Sequence, residues 1–359
     1  MSSIQNKSVE DLRGWYTENR QIYSNLANKV EAIIKELLDS EGVTYYSISS
    51  RGKDLDSFVK KAQKDKYNDP KHQIQDLAGI RIITYVRSEV IKACEIIKPL
   101  FKIDEKNSID KSSELGKDKV GYRSVHYVAT LTDERLALPE YKGFKDLHFE
   151  IQIRTLLEHA WADITHDRSY KFTGQFPPEY DIERRFSLAS ATLELVDREF
   201  DAIVNTLDAY EKETEGKAKN GEYDSPINAT SLENYLLHKL DFYIESEIID
   251  PTFNRSESLI VEELLNFGIY DLKQLDNIVS NVSRNYPLLI AVATNYMGLL
   301  RYVMIYTDID LYFNNAWNSN WTLIAEDFVK LSRKYGIDLD FYLETCGINV
   351  DDEDDEDDE

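Results

Sequence analysis

The sequence predicts an α/β sheet domain followed by an all-helical C-terminal domain, and three observations carry that prediction. Short β-branched or alternating apolar runs interleave with helix-period segments between residues 46 and 176, the pattern of a sheet flanked by helices. Composition shifts from Glu211 to Asn228 towards Lys, Glu, Gly, Asn and Pro, which marks a linker. Beyond it, residues 230–349 carry helical spacing almost throughout, with no internal repeat.

Residues 8–40 predict a helix, because Leu12, Tyr16, Ile22, Leu26, Val30, Ile33, Ile34 and Leu37 recur near helical spacing. A second helix is expected over 54–67, basic on one side. Ile80 to Val86 is a β-branched run that reads as a central strand. Residues 88–99 suit a helix ending near Pro99, and the polar stretch Asp104 to Lys119 a mobile loop. Tyr122 to Leu131 and Leu147 to Thr155 are two further strands. Thr155 to Arg168 is helical, with Leu157, Ala160, Trp161 and Ile164 on one face. Asp181 to Tyr210 is a long amphipathic helix carrying Phe186, Leu193, Val196, Phe200, Ile203 and Leu207. The expected division is therefore 1–45 as an N-terminal helical segment, 46–176 as the sheet core, and 177–215 as a helix closing that core. Residues 216–229 form the linker, 230–349 the helical domain and 350–359 an acidic tail.

An apolar fraction of 42%, with 23 tyrosines and 14 phenylalanines, describes a globular protein, and 359 residues suffice for a catalytic domain plus a second one. The net charge is −24, but the nine residues from Asp351 to Glu359 are all acidic, so removing them leaves −15 on the body. That tail is expected to be disordered and solubilising. Cys94 and Cys346 give neither a disulfide framework nor a zinc spacing, which fits a reducing cytoplasm. The first residues, MSSIQNKSVEDLRGW, lack the apolar core of a secretory signal. Pro287 to Leu300 is too short for a membrane span and contains Asn295. The expectation is a cytoplasmic protein with no membrane association.

Four segments place polar residues where structure alone does not need them. In Leu147 to Thr155, apolar residues alternate with His148, Glu150, Gln152 and Arg154, so one strand face carries an acid, an amide and a guanidinium in a row. Such a carboxylate can hold a metal ion or deprotonate an alcohol while the cation grips phosphate. In Ser50-Arg51-Gly52-Lys53, with Ser57, Lys61 and Lys64 one helical face further on, cations converge on a helix N-terminus, a polyphosphate site or an ordinary solvated lysine face. Asp76 precedes a buried strand as a turn residue or a magnesium ligand, and Arg81 inside that strand is costly to bury unpaired. In Gly121 to His126, alternation sets Tyr122, Ser124 and His126 on one face. A tyrosine there packs or stacks on a nucleobase, while serine and histidine bond phosphate or ribose.

The set Arg51-x-Lys53, Ser57, Lys61, Asp76-Leu-x-Gly-x-Arg81, Gly121-Tyr122-x-Ser124-x-His126 and Glu150-x-Gln152-x-Arg154-Thr155 resembles the RelA/SpoT alarmone synthetases. With Glu158-His159-Ala160-Trp161 and His166-x-x-x-Tyr170-Lys171 it looks like a small, single-activity member, over about residues 20–210. The resemblance implies a nucleotidyltransferase-like mixed sheet flanked by helices. It also implies transfer of the β,γ-pyrophosphate of ATP to the ribose 3′-hydroxyl of GDP or GTP, giving (p)ppGpp and AMP.

By the same resemblance, Arg51, Lys53, Ser57 and Lys61 bind the ATP donor. Asp76 ligates Mg2+, with Glu150 as second ligand or as base for the 3′-hydroxyl. Tyr122 stacks on guanine, Ser124 and His126 face the GDP or GTP acceptor, and Gln152 and Arg154 orient acceptor and base. One departure is Asp118, where the family often has a lysine four residues before the stacking tyrosine, with Lys117 and Lys119 beside it; this loosens the assignment of the acceptor.

Alternatives stay open at this stage. Toxic relatives pyrophosphorylate the 3′ end of tRNA or an adenosine nucleotide, although −15 on the body argues against a tRNA surface. An inactive nucleotide-sensing module would keep the fold, but both Asp76 and Glu150 are present. His166-Asp167 resembles the alarmone hydrolase pair, yet no histidine precedes His72 to complete a metal set. His159, Asp163 and His166 read as a helix's polar side, with a zinc face as the alternative. A homo-oligomer is possible, and the C-terminal aromatics Trp317, Trp321 and Phe328 read as core.

Overall fold

The computed structural model describes residues 9–110, 124–171, 181–246, 249–250, 259–293, 295–318 and 321–351. The chain divides into two compact units, Met1–Asn205 and Thr206–Glu359.

In the first unit, six described strands form one mixed sheet: β1 (Ser47–Gly52), β2 (Ala78–Thr84), β3 (Lys102–Ile103), β4 (Ile109–Asp110), β5 (Val125–Thr130) and β6 (Phe149–Thr155). The order is β1-β2-β6-β5-β3, with β4 also on β5. Only β2 and β6 run parallel; β1–β2, β5–β6, β3–β5 and β4–β5 are antiparallel. The mixed sheet flanked by helices thus appears as expected. Alternation gives the sheet one dry face: Ile80 and Ile82 of β2 with Phe149, Ile151 and Ile153 of β6, all buried. The helices α1 (Val9–Ser40) and α3 (Arg87–Ile97) cover it with Leu26, Val30, Ile34, Val90 and Ala93 in one core. The opposite face carries the polar alternates. At about 25 cal/mol per Å2 this burial, not local propensity, fixes which face each residue takes.

Several boundaries differ from the sequence reading. The helix α2 (Leu55–Ala62) stops five residues short of 67, its chain turning at Gln63 to Tyr67 ahead of Asp69-Pro70. The stretch expected as a mobile loop contains β3's turn and β4, while residues 111–123 lie outside the described residues. The helix α4 (Leu156–Lys171) follows β6 directly. The helix α5 (Ile182–Lys219) continues through the composition shift at Glu211 and four residues into the segment expected as linker. Lys217 and Lys219 pair with Glu213 and Glu215 at i,i+4 spacing, which stabilises the last turns there.

The second unit is helical, as expected, around its own core. Its main helices are α6 (Ala229–Lys239), α7 (Leu259–Asn266), α8 (Leu272–Asn285), α9 (Tyr296–Thr307) and α10 (Glu326–Lys334). Asn228, Asp271 and Asn295 cap α6, α8 and α9 with their side chains. Phe328 and Trp321 are core, and Trp317 packs against it. Two features are additional to the sequence reading. Strands β7 (Leu323–Ala325) and β8 (Asn349–Asp351) pair in parallel, so the first two residues assigned to the acidic tail belong to a strand. The rest of that tail lies outside the described residues. In addition, Glu263 is buried with Arg301, whose Nε and Nη2 donate to it at 2.9 and 2.6 Å. Tyr312 and Asn318 complete the carboxylate's partners, and Trp321 stacks under the guanidinium at 5.2 Å.

Candidate active site

The sheet register assembles the site. Ser49 pairs with Arg81, Arg81 with Gln152, and Gln152 with His126, so these four stand in one row across four strands. In the next row, Arg51 pairs with Gly79 and Gly79 with Glu150. Residues opposite one another in a ladder share a face, so both rows point away from the core. All of them but His126 line one cleft with Ser50, Lys53 and Asp76. Gly79 is the floor between Arg51 and Glu150. A Cβ there would sit 3.9 Å from the Arg51 carbonyl oxygen, an ordinary contact, and would project into the cleft.

Lys53 leaves the end of β1 under close control. Its N–H donates to Leu77, and its carbonyl accepts from Tyr16 Oη at 2.8 Å and Arg20 Nε at 3.2 Å, both on α1. Its ammonium donates to Asp76 Oδ2 at 2.6 Å, and Lys61 from the last turn of α2 donates to the same oxygen at 2.7 Å. Asp76 Oδ1 is buried with no hydrogen bond among the described residues. Burial alone would raise this carboxyl's pKa, but the two ammonium groups outweigh it and hold the pKa below 3.8. The same contact raises Lys61 against its own burial.

Glu150 is held from both sides. His126 Nδ1 lies 3.1 Å from Oε1 and Gln152 Nε2 donates to Oε2 at 2.8 Å. Burial opposes its ionisation, yet these contacts bring the pKa below 4.5, with Asp76 pushing weakly the other way. His126 Nε2 is in turn 2.9 Å from the Ser124 hydroxyl, and Ser124 is fully buried. The serine sets the ring, the ring sets the carboxylate, and Glu150 stays anionic at neutral pH. An ionised Glu150 and Asp76, whose Oδ1 has no hydrogen bond among the described residues, are two hard carboxylates that could hold magnesium, with phosphate and water to complete the shell.

The structure therefore brings together Arg51, Lys53, Lys61, Asp76, Ser124, His126, Glu150 and Gln152. Two sequence-predicted residues stand apart. Ser57 is exposed on α2, where its backbone N–H serves the cap made by Asp54 at 3.0 Å. That capping carboxylate occupies the helix N-terminus, so the cations converge on Asp76 and not on the helix end. Arg154 shares the polar face of β6 but is only 5% exposed beneath α4, with Asp163 at 4.0 Å, and does not line the cleft. His159 lies beside both, 3.5 Å from Asp163, and burial and Arg154 lower its pKa. Tyr122 and Asp118 lie outside the described residues, as do the side chains of His166, Tyr170 and Lys171. Sequence reasoning passed over Ser49 and Gly79 and left Arg81 without a role. Alternation from Arg51 would have found Ser49, whereas Gly79 needs the β2–β6 register.

Residues 50–175 match the family model described as a region found in RelA / SpoT proteins. GTP pyrophosphokinase YjbM of Bacillus subtilis strain 168 is 31% identical over 161 residues, which cover 44% of this chain and 70% of that protein. GTP pyrophosphokinase YwaC of the same organism is 27% identical over 139 residues, covering 36% and 60%. Among solved structures, a GTP pyrophosphokinase family protein from Streptococcus pneumoniae superposes with a TM-score of 0.46 at 24% identity. It covers 54% of this chain and 95% of that one.

Proposed function

The chain belongs to the RelA/SpoT-type small alarmone synthetases, and from that premise we propose that it transfers the β,γ-pyrophosphate of ATP to the ribose 3′-hydroxyl of GDP or GTP. The observation that carries this reading is the placement of Glu150. It is an ionised carboxylate in a cleft also lined by Arg51, Lys53, Asp76 and Arg81. Among cations that suit phosphate, a carboxylate not tied to an ammonium group is placed to orient and deprotonate an attacking hydroxyl.

The 3′-oxygen attacks the β-phosphorus while the bond from that phosphorus to the α,β-bridging oxygen breaks. AMP leaves with the bridging oxygen, and the hydroxyl proton passes to Glu150. Gln152 and His126 hold the carboxylate for this step, in the orientation their hydrogen bonds define. Arg51, Lys53 and Lys61 grip the donor phosphates, and Arg81 faces the same space. Transfer of this kind has a loose transition state, so positioning and charge neutralisation carry most of the rate. Asp76 and Glu150 would hold Mg2+, which when bound neutralises the phosphate oxygens.

The reading is tested with γ-labelled ATP and Mg2+, offering GDP, GTP, ATP or bulk tRNA in turn. Label on guanosine nucleotides with release of AMP is expected. Label on tRNA or on an adenosine nucleotide would move the acceptor, and label on none would leave a nucleotide-sensing module.

A further inference from the structure

Asp197 is a carboxylate that the chemistry above does not use. It lies on α5, is 7% exposed, and accepts the Thr155 hydroxyl on Oδ2 at 2.9 Å. Its Oδ1 is buried without a hydrogen bond among the described residues. Leaving half of a buried carboxylate unmatched costs stability, and burial pushes its pKa up. Among the described residues its hydrogen-bond partner is Thr155, the last residue of β6, and the Arg87 guanidinium offsets part of the effect of burial.

Thr155 has two roles at that point. Its backbone N–H donates to Glu158 Oε2 at 3.0 Å and its Oγ1 accepts the Glu158 N–H at 3.2 Å, a reciprocal cap on α4. Glu158 also stands 3.8 Å from Arg87 at the start of α3. One turn further along α5, Asp201 accepts the Ser88 N–H at 2.6 Å. The hydroxyl has a single proton. Donating it to Asp197 points the lone pairs of Oγ1 at Glu158, which fixes the first turn of α4. That helix covers Arg154, and the strand it follows carries Gln152 and Glu150.

We propose that Asp197 is a positioning residue for the transfer reaction, acting through Thr155 to hold the end of β6 and the first turn of α4 in the reactive geometry. The inference rests on the transfer reading above. It places on α5 a determinant of rate that touches neither nucleotide.

The test uses the full chain and the labelled-ATP assay with GDP, comparing the parent with Asp197→Ala, Asp197→Asn, Thr155→Val, Thr155→Ser and the double Asp197→Ala/Thr155→Val variant. A misplaced reacting group costs up to about a hundredfold in rate. Asp197→Ala is expected to lower kcat by about tenfold at a KM for ATP within roughly twofold of the parent. Thr155→Val, which also removes the acceptor of the Glu158 N–H, should lower it at least as much, and the double variant should be no slower than Thr155→Val, because Asp197 acts through that hydroxyl. The conservative Asn and Ser variants keep acceptor and donor and should retain at least roughly half of kcat. A contact that serves stability alone would lower Tm without that split. A folded Asp197→Ala or Thr155→Val variant with parental kcat overturns the proposal, as do multiplicative losses in the double variant. If Asp197→Ala does not fold, Thr155→Val decides. An inactive parent would instead sink the transfer reading, and this inference with it.

Discussion

At the scale of single residues, two carboxylates divide the work because their neighbours differ. Asp76 meets two ammonium groups at 2.6 and 2.7 Å, whereas Glu150 meets an imidazole and an amide. Since the folded pKa of Asp76 lies below 3.8, its pairing contributes stability that is fully present above that pH and is lost as pH falls through the lower folded value. Denaturant titrations from pH 7 to pH 2 should show this loss in the parent and a smaller one in Asp76→Asn. An equal loss in both would place the acid sensitivity elsewhere. Lys61→Met removes one of the two ammonium groups and should weaken binding of a non-hydrolysable ATP analogue by about ten- to a hundredfold, measured by calorimetry, because a phosphate contact of this kind is worth about 1.5–3 kcal/mol. The individual residues were legible where chemistry is dense: Glu150, Asp76, Lys53 and Lys61 stand out as types in the sequence. Ser57 and Arg154 lie apart from the cleft, which spacing does not reveal because it reports a face and not depth. Asp54 takes the helix end and α4 covers Arg154; the first is an N-cap pattern three residues long, the second depends on how the helix folds back on the strand.

At the scale of elements, the parallel β2–β6 pair does the assembling. It sets Gly79 opposite Glu150 and Arg81 opposite Gln152, with β1 bringing Arg51 alongside. Gly79 tolerates a Cβ by geometry, and valine favours a strand. Gly79→Val should therefore keep or raise Tm while lowering kcat/KM for ATP at least about tenfold by filling the cleft floor. A folded, fully active variant would show that the donor phosphates bind elsewhere. The N-terminal helix matters in the same way: Tyr16 stacks on Phe58 at 4.5 Å and its hydroxyl donates a hydrogen bond to the Lys53 carbonyl. Tyr16→Phe should cost about 1 kcal/mol in equilibrium unfolding, the usual worth of one such bond. The major helices and strands were read from periodicity because each buries one side against the core. Their ends were not, since α2 stops at Ala62 on a turn and α5 runs on to Lys219 through residues of linker composition.

At the scale of the molecule, the described residues form two hydrophobic cores, one around the mixed sheet and one among the C-terminal helices. Calorimetry should accordingly resolve two unfolding transitions. Glu263→Gln, which strands a buried Arg301, should lower only one of them, by about 3–5 kcal/mol; a shift of both would mean one cooperative unit. The division into a sheet domain and a helical domain was legible from the switch of period, but the Glu263–Arg301 pair and the β7–β8 pair depend on contacts between distant segments that no local pattern announces. For the catalytic account, the most direct measurement is a single turnover of γ-labelled ATP with excess enzyme, Mg2+ and GDP, comparing the parent with Glu150→Gln. The parent should move label to guanosine with one AMP formed per product. The variant should bind GDP with unchanged affinity and lower the transfer rate at saturating ATP by about a hundredfold or more, the usual worth of a positioned base. Transfer by Glu150→Gln at the parental rate would contradict the central claim that Glu150 activates the acceptor hydroxyl.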